Sequence, residues 1–190
     1  MPTPARTSLD EIVAAARAIL ERDGLEGLTM QAVAEAVGVR APSLYKRVRD
    51  RGDLVRLIAY DVARELVRIL DDAAASADPR QNLISLAHSF RAFAHASPEA
   101  YGLVFARLPE DARADRDLTA AASKAVVQAA AGLAGDEHAL EAARTIVAWA
   151  HGFISMELAG AFRLGGDVDR AFEYGVERLA SAIDARGLEP

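Results

Sequence analysis

The sequence predicts an all-α protein, and three observations carry that reading. Alanine, leucine and arginine are abundant, strand-type alternation is hard to find, and glycine and proline sit mostly where helices should break. A chain of 190 residues can bury a sizeable core and hold one large domain or two small ones. It has no cysteine, so neither a disulfide framework nor a thiolate metal site can form. The start, MPTPARTSLDE, lacks the apolar core of a signal peptide, and the expectation is a cytoplasmic protein.

Ser8 and Glu11 stand at the S-x-x-E spacing of a capping box. They predict a first helix to about Arg22, with Leu9, Ile12, Val13, Ala16 and Leu20 on one face and Asp23-Gly24 at its end. Residues 1–7 are expected to be disordered, with Arg6 on an arm that stays free or touches backbone or minor groove. Thr29 can N-cap a short helix with Val33, Ala36 and Val37 at helical spacing, which Gly38 ends. A second short helix starts near Ala41, where Pro42 suits a first turn, and buries Leu44 and Val48.

Asp50 to Gly52 makes a turn, and Asp53 is expected to cap a long helix from about Leu54 to Ala75. Leu54, Leu57, Ile58, Asp61, Val62, Leu66, Ile69 and Leu70 trace its buried side. Asp78-Pro79 opens a helix to about Ala96, and Ser97-Pro98-Glu99 a short one to about Arg107. Pro109 opens another to about Ala131, ended by Gly132 to Gly135. Asp136 is expected to cap a helix to about Leu164, Gly165-Gly166 to break it, and Asp167 to cap a last helix to about Ala185. Nine helices result.

Two short helices across a Gly-containing turn, residues 29–49, form either an ordinary αα-corner or a helix-turn-helix whose second helix enters the DNA major groove. Charge favours the second. Arg40, Lys46, Arg47, Arg49, Arg51 and Arg56 fall within seventeen residues against only Asp50 and Asp53, a local +4 in a chain of net charge −6. Residues 1–60 carry nine Lys or Arg and eight Asp or Glu, whereas residues 61–190 carry thirteen and twenty. The acidic part would be repelled by phosphates, which confines any DNA-binding surface to the N-terminal region. Arg40 and Lys46 have the chemistry to read guanine O6 and N7, Ala41 and Pro42 to meet a thymine methyl, and Ser43 to bond a base or a phosphate.

Residues 8–60 resemble the N-terminal DNA-binding domain of the TetR family of bacterial transcriptional repressors. The matching positions are Ile12, Ala15, Ala16 and Leu20, then Gly24, Leu28-Thr29, Val33-Ala34, Val37-Gly38-Val39, Ser43-Leu44-Tyr45, and Leu54 after the basic stretch. Two departures stand out: Lys46-Arg47-Val48 replaces an aromatic or His plus Phe, and Arg51-Gly52 replaces Lys-Glu. By position in the family motif, the resemblance implies phosphate contacts from Thr29, Tyr45, Arg47 and Arg51. It further implies a DNA-binding domain over 1–52 and a helical regulatory and dimerisation domain over 53–190, with the fourth helix connecting the two. A double-stranded operator, a small-molecule effector and a second copy of the chain are the implied partners.

Residues 145–162, TIVAWAHGFISMELAGAF, are apolar almost all round a helix. A membrane span is a poor reading, because His151 and Glu157 interrupt a stretch already short for a bilayer. In TetR-like proteins the last two helices pair with those of a second subunit, which implies a homodimer. Ala148, Gly152, Ala159 and Gly160 would permit close approach, and interior glycines at 152, 160 and 175 point to tight packing. Trp149-Ala150-His151-Gly152 resembles the Trp-His-Gly signature of one subgroup of TetR-type C-terminal domains.

Phe90, Phe93, Tyr101, Phe105, Trp149, His151, Phe153 and Met156, with His88, His95 and Glu157, either line an effector cavity or fill the core. His151 is the foremost candidate, since a polar ring in an apolar helix needs a partner. Catalysis is not expected. His151 and Ser155 are one helical turn apart, but there is no G-x-S-x-G elbow, phosphate-cradling Gly loop or H-E-x-x-H. His88 and His95, about 10 Å apart along one helix, cannot share an ion directly. No metal or cofactor is expected. The expectation is a transcriptional repressor released from a palindromic operator by a small apolar or aromatic effector. The alternatives are an activator, or a helix-turn-helix that binds protein without an effector.

Overall fold

The computed structural model describes residues 7–106 and 116–184. Among these residues the chain forms nine α-helices and no strand. They are α1 (Leu9–Gly27), α2 (Met30–Ala36), α3 (Ala41–Leu44), α4 (Arg51–Ala73), α5 (Pro79–Ala96), α6 (Pro98–Phe105), α7 (Arg116–Ala134), α8 (Ala139–Leu158) and α9 (Val168–Ile183). The chain divides into two compact units. The first holds the described residues of Met1–Arg64 and Ser97–Leu118, the second those of Glu65–Ala96 and Thr119–Pro190. Expectations for Arg6 and for the helix start at Pro109 lie outside the described residues.

In the first unit α1 packs on α2 and α6, and α2 on α3. The capping box forms as its spacing dictates: Ser8 N–H donates to Glu11 Oε2 at 2.7 Å and Glu11 N–H to Ser8 Oγ at 3.1 Å. Gly24, at φ +67°, interrupts α1 where the sequence placed its end, and a further turn follows to Gly27. Ile12, Ala16, Ile19 and Leu20 of α1 are buried, as are Leu28, Val33, Ala34, Leu44, Val48, Leu54, Ile58 and Val62. Each such large aliphatic contributes roughly 1.5–3 kcal/mol by leaving water. Arg17 ties α1 to Asp61 of α4 at 3.2 Å. Glu21 accepts the N–H groups of Glu99 (3.2 Å) and Ala100 (2.8 Å), serving the α6 N-terminus where Ser97 makes no side-chain cap.

The cap of α4 differs from expectation. Asp50 precedes the helix, and its Oδ1 accepts Asp53 N–H at 2.8 Å, so Asp50 rather than Asp53 is the N-cap.

In the second unit α5 packs on α8 and α9, and α8 on α9. Ala130, Ala142 and Ala143 bring α7 and α8 together, with Val126, Val127, Ala134 and Ile183 around them. Gly132 does not end α7. The helix continues to Ala134, Gly135 turns it at φ +80°, and a Cβ at Gly132 would lie 2.5 Å from Pro79 Cγ. Asp136 lies in a 3-10 turn, Asp136–His138, ahead of α8 instead of capping it.

α8 ends at Leu158, six residues before the expected Leu164. Gly160, at φ +61°, is the reason: its N–H reaches Glu157 O and Ala161 N–H reaches Met156 O, both at 2.9 Å. This is a Schellman closure, and it makes Gly160 a terminator rather than an interior residue. Asp167 caps α9 as expected, accepting Arg170 N–H at 3.0 Å.

Candidate nucleic-acid interface and effector region

The α2–α3 corner is built from local chemistry. Thr29 Oγ1 accepts Ala32 N–H at 3.1 Å and starts α2. Gly38, at φ +70°, turns the chain, and Val39 N–H closes on Ala34 O at 2.9 Å. Pro42 lies in the first turn of α3, a four-residue helix followed by turn at Tyr45–Arg47. Leu44 and Val48 are buried and hold this segment to its unit, while Arg40, Pro42, Ser43, Tyr45, Lys46 and Arg47 are exposed and Ala41 is half-buried. The side chains assigned to base edges, Ala41 apart, are therefore open to solvent, as are Tyr45 and Arg47, and Thr29 is exposed at the start of α2.

The six cations of the basic stretch separate into two groups. Arg40, Lys46 and Arg47 have no carboxylate partner among the described residues. Arg49, Arg51 and Arg56 are bonded inward. Arg51, whose position in the motif implied a phosphate contact, has two donors on main-chain carbonyls: Nε donates to Leu28 O at 2.8 Å and Nη2 to Leu25 O. Its fork serves carbonyls left over where α1 ends. Arg49 and Arg56 both reach Asp53, the latter at 2.8 Å. Burial opposes the Asp53 carboxylate, yet the Arg49 N–H and the Arg56 guanidinium prevail and lower its pKa.

The eight residues expected around an effector belong to both units. In the first, Tyr101 is buried and its ring lies 5.4 Å from that of Phe105. In the second, Phe90 and Phe93 are buried, Trp149, His151 and Phe153 are half-buried, and Met156 is exposed. Trp149 and Phe153 come together, 5.7 Å apart, around Phe172 of α9, which the sequence reading missed. Phe172 is fully buried, stacked on Trp149 at 5.2 Å and met edge-on by Phe153 at 5.2 Å. His151 Nδ1 lies 3.5 Å from Ser155 Oγ, and burial lowers the imidazole pKa.

A cleft of about 430 Å³ in the second unit is lined by His88, Arg91, Ala92, His95, Glu157 and Asp169. Of the set expected around an effector, His88, His95 and Glu157 line it, and Phe90, Phe93, Tyr101, Phe105, Trp149, His151, Phe153 and Met156 do not. Arg91 is its hub: Nε donates to Glu157 Oε2 at 2.9 Å, Nη2 to Glu157 Oε1 and to Asp169 Oδ1 at 2.6 Å, and the guanidinium lies over the Phe172 ring at 4.9 Å. His95 reaches Glu157 at 3.0 Å and His88 reaches Glu173 at 2.9 Å. The Arg91 hydrogen bonds lower the Glu157 pKa against the opposing effect of burial. Among the described residues no helix is long and apolar enough to cross a membrane.

Comparison with known proteins places these features. Residues 12–58 match the family "Bacterial regulatory proteins, tetR family", and residues 83–179 match "Tetracyclin repressor-like, C-terminal domain". The uncharacterised HTH-type transcriptional regulator Rv0681 of Mycobacterium tuberculosis is 32% identical over 188 residues, covering 96% of this chain and 84% of that protein. A protein of unknown function from Rhodococcus sp. RHA1 shares the fold at a TM-score of 0.80 and 23% identity, covering 96% of this chain and all of the other. A TetR variant from Acinetobacter baumannii AYE, in complex with minocycline, shares it at 0.67 and 19% identity, covering 96% and 98%. The chain belongs to the TetR family and is a DNA-binding regulator of transcription.

Proposed function

We propose that this regulator is a repressor that grips a pseudo-palindromic operator as a homodimer and is released by a small apolar or aromatic effector. The observation that supports the DNA contacts is the α3 segment, where Arg40, Lys46 and Arg47 are exposed and have no carboxylate partner among the described residues. Arg40 and Lys46 read guanine edges, Ala41 and Pro42 meet a thymine methyl, and Thr29, Ser43, Tyr45 and Arg47 hold the backbone. Residues 1–52 carry this contact, and residues 53–190 carry regulation and dimerisation.

The effector acts by preferring one conformer of the dimer, since a ligand that binds both equally shifts nothing. Trp149, His151 and Phe153, at the signature that resembles the Trp-His-Gly subgroup, are the residues proposed to sense it, with Phe90 and Phe93 of the same unit completing the set. Such a protein acts in the cytoplasm, where its operator is.

Selection of bound sequences from a random DNA pool, followed by titration of the winner at two salt concentrations, tests this reading. A palindromic winner with a steep salt dependence is expected. Failure to enrich any sequence, with a folded dimer in hand, would replace it with a helix-turn-helix that binds protein.

A further inference from the structure

Asp53 is a buried charged side chain in the unit that reads DNA, 7% exposed. It is not needed as the α4 cap, because Asp50 does that. An acidic residue in a first helical turn gains from the helix dipole while fully solvated, so the dipole does not explain its burial. What burial accompanies is a set of cationic partners. Asp53 accepts Arg49 N–H at 3.0 Å, Arg56 Nε at 3.1 Å and Nη2 at 2.8 Å, and its Oδ1 lies 3.5 Å from Arg49 Nη2. A carboxylate offers guanidinium the same planar pair of acceptors that a phosphate does.

Arg49 is 73% exposed along its side chain and stands two residues beyond Arg47. Without Asp53 it would be another mobile cation on the basic stretch. We propose that Asp53 is a specificity-determining residue that acts as an internal phosphate surrogate, holding Arg49 back from the duplex and so limiting non-specific DNA binding. The logic lies in how the two modes of binding differ. Non-specific affinity is almost wholly cations on phosphates, and a long, unrestrained arginine finds a phosphate in any docking pose. Specific binding also draws on base contacts that fix the pose, so it gains less from one more mobile cation.

The test titrates the full-length protein and three variants with a random-sequence duplex over a range of salt. Arg49→Gln should leave the slope of log affinity against log salt unchanged, because Asp53 already keeps the Arg49 guanidinium off the phosphates. Asp53→Asn keeps an acceptor for the Arg49 N–H but removes the charge. It should bind the duplex several-fold more tightly, with a slope steeper by about one. The double variant Asp53→Asn with Arg49→Gln should return to the parent slope.

A slope flatter by about one in Arg49→Gln alone would overturn the proposal, since Arg49 would then already lie on a phosphate. So would an unchanged slope in an Asp53→Asn protein of parental helix content. Arg49→Gln alters an exposed side chain, so the first of these readings stands even if the Asp53 variant does not fold. A parent that binds no duplex at any salt would overturn the DNA-reading role itself, and this inference with it.

Discussion

Gly175 of α9 faces the indole of Trp149 on α8 so closely that a Cβ at 175 would lie 2.2 Å from Cζ2. Of the three glycines read as marks of tight packing, this is the one that meets a neighbour. Gly152 faces open space and Gly160 is a helix terminator. The indole cannot simply retreat, because its other contacts are the rings of Phe153 and Phe172. We expect Gly175→Ala to displace the ring at about 1–3 kcal/mol, offset by about 1 kcal/mol of helix propensity. Urea unfolding should show net destabilisation. Because Trp149 is the one tryptophan of the chain, its emission should shift as well.

What could be read in advance was local. The capping box at Ser8, the Thr29 cap, the turn at Gly38 and the anchors Leu44 and Val48 each depend on residues within one or two helical turns. Interactions across the sequence were not legible. Arg51 bonds a carbonyl 23 residues away, and Arg91 bonds Glu157 across 66. A basic residue in a basic stretch looks alike whether it faces phosphate or a main-chain carbonyl, and only the fold separates the two. The end of α8 shows a related limit: Gly165-Gly166 is the more conspicuous breaker, yet Gly160 stops the helix first. Of the aromatic residues expected around an effector, Phe90, Phe93 and Tyr101 are buried as their type suggests, but Phe172, the ring that Trp149 and Phe153 share, stands on another helix.

Arg51 offers a direct contrast between a phosphate contact and a structural pin. Its two hydrogen bonds end on the carbonyls of Leu25 and Leu28, at the corner that leads into α2. Arg51→Ala should lower stability by about 1–3 kcal/mol, since a part-buried acceptor loses a charged donor. Arg51→Lys should recover only part of this, because an ammonium cannot serve both carbonyls as the planar fork does. Calorimetry measures these losses. The salt slope of operator binding should stay at the parent value in both variants, whereas a slope flatter by about one in Arg51→Ala would assign Arg51 to a phosphate.

Arg91 should govern the acid sensitivity of the second unit. Its hydrogen bonds lower the Glu157 pKa below the unfolded value, with His95 assisting against burial. A carboxylate depressed in the folded state contributes stability that is fully present above its unfolded pKa of about 4.3 and is lost as pH falls through the folded value. Arg91→Gln should remove this contribution and leave Glu157 half-enclosed beside His95. The expected outcome is a loss of about 2 kcal/mol at pH 7, by analogy with hydrogen bonds to charged groups. The difference from the parent should narrow as pH drops below about 4. Urea titrations at several pH values measure both, and a difference independent of pH would mean that Arg91 contributes through its contact with Phe172 instead.

The exposed face of α8 bears on assembly. Ile146, Ala150 and Ile154 recur every fourth residue and are buried. Ala148, Gly152 and Met156 recur at the same interval two residues out of step, which is about 200° around the helix, and all three are exposed. Met156 is 49% exposed, and Tyr174 of α9 is exposed too. A helix apolar on opposite faces needs a second partner for the one its own unit leaves open. Placing a carboxylate there should oppose that pairing, because the charge would have to be desolvated without a counter-ion. We expect Met156→Glu to raise the dimer dissociation constant at least tenfold, about 1.4 kcal/mol, in sedimentation experiments, and to weaken operator binding at low protein concentration. Unchanged sedimentation in a folded variant would assign dimerisation to another surface.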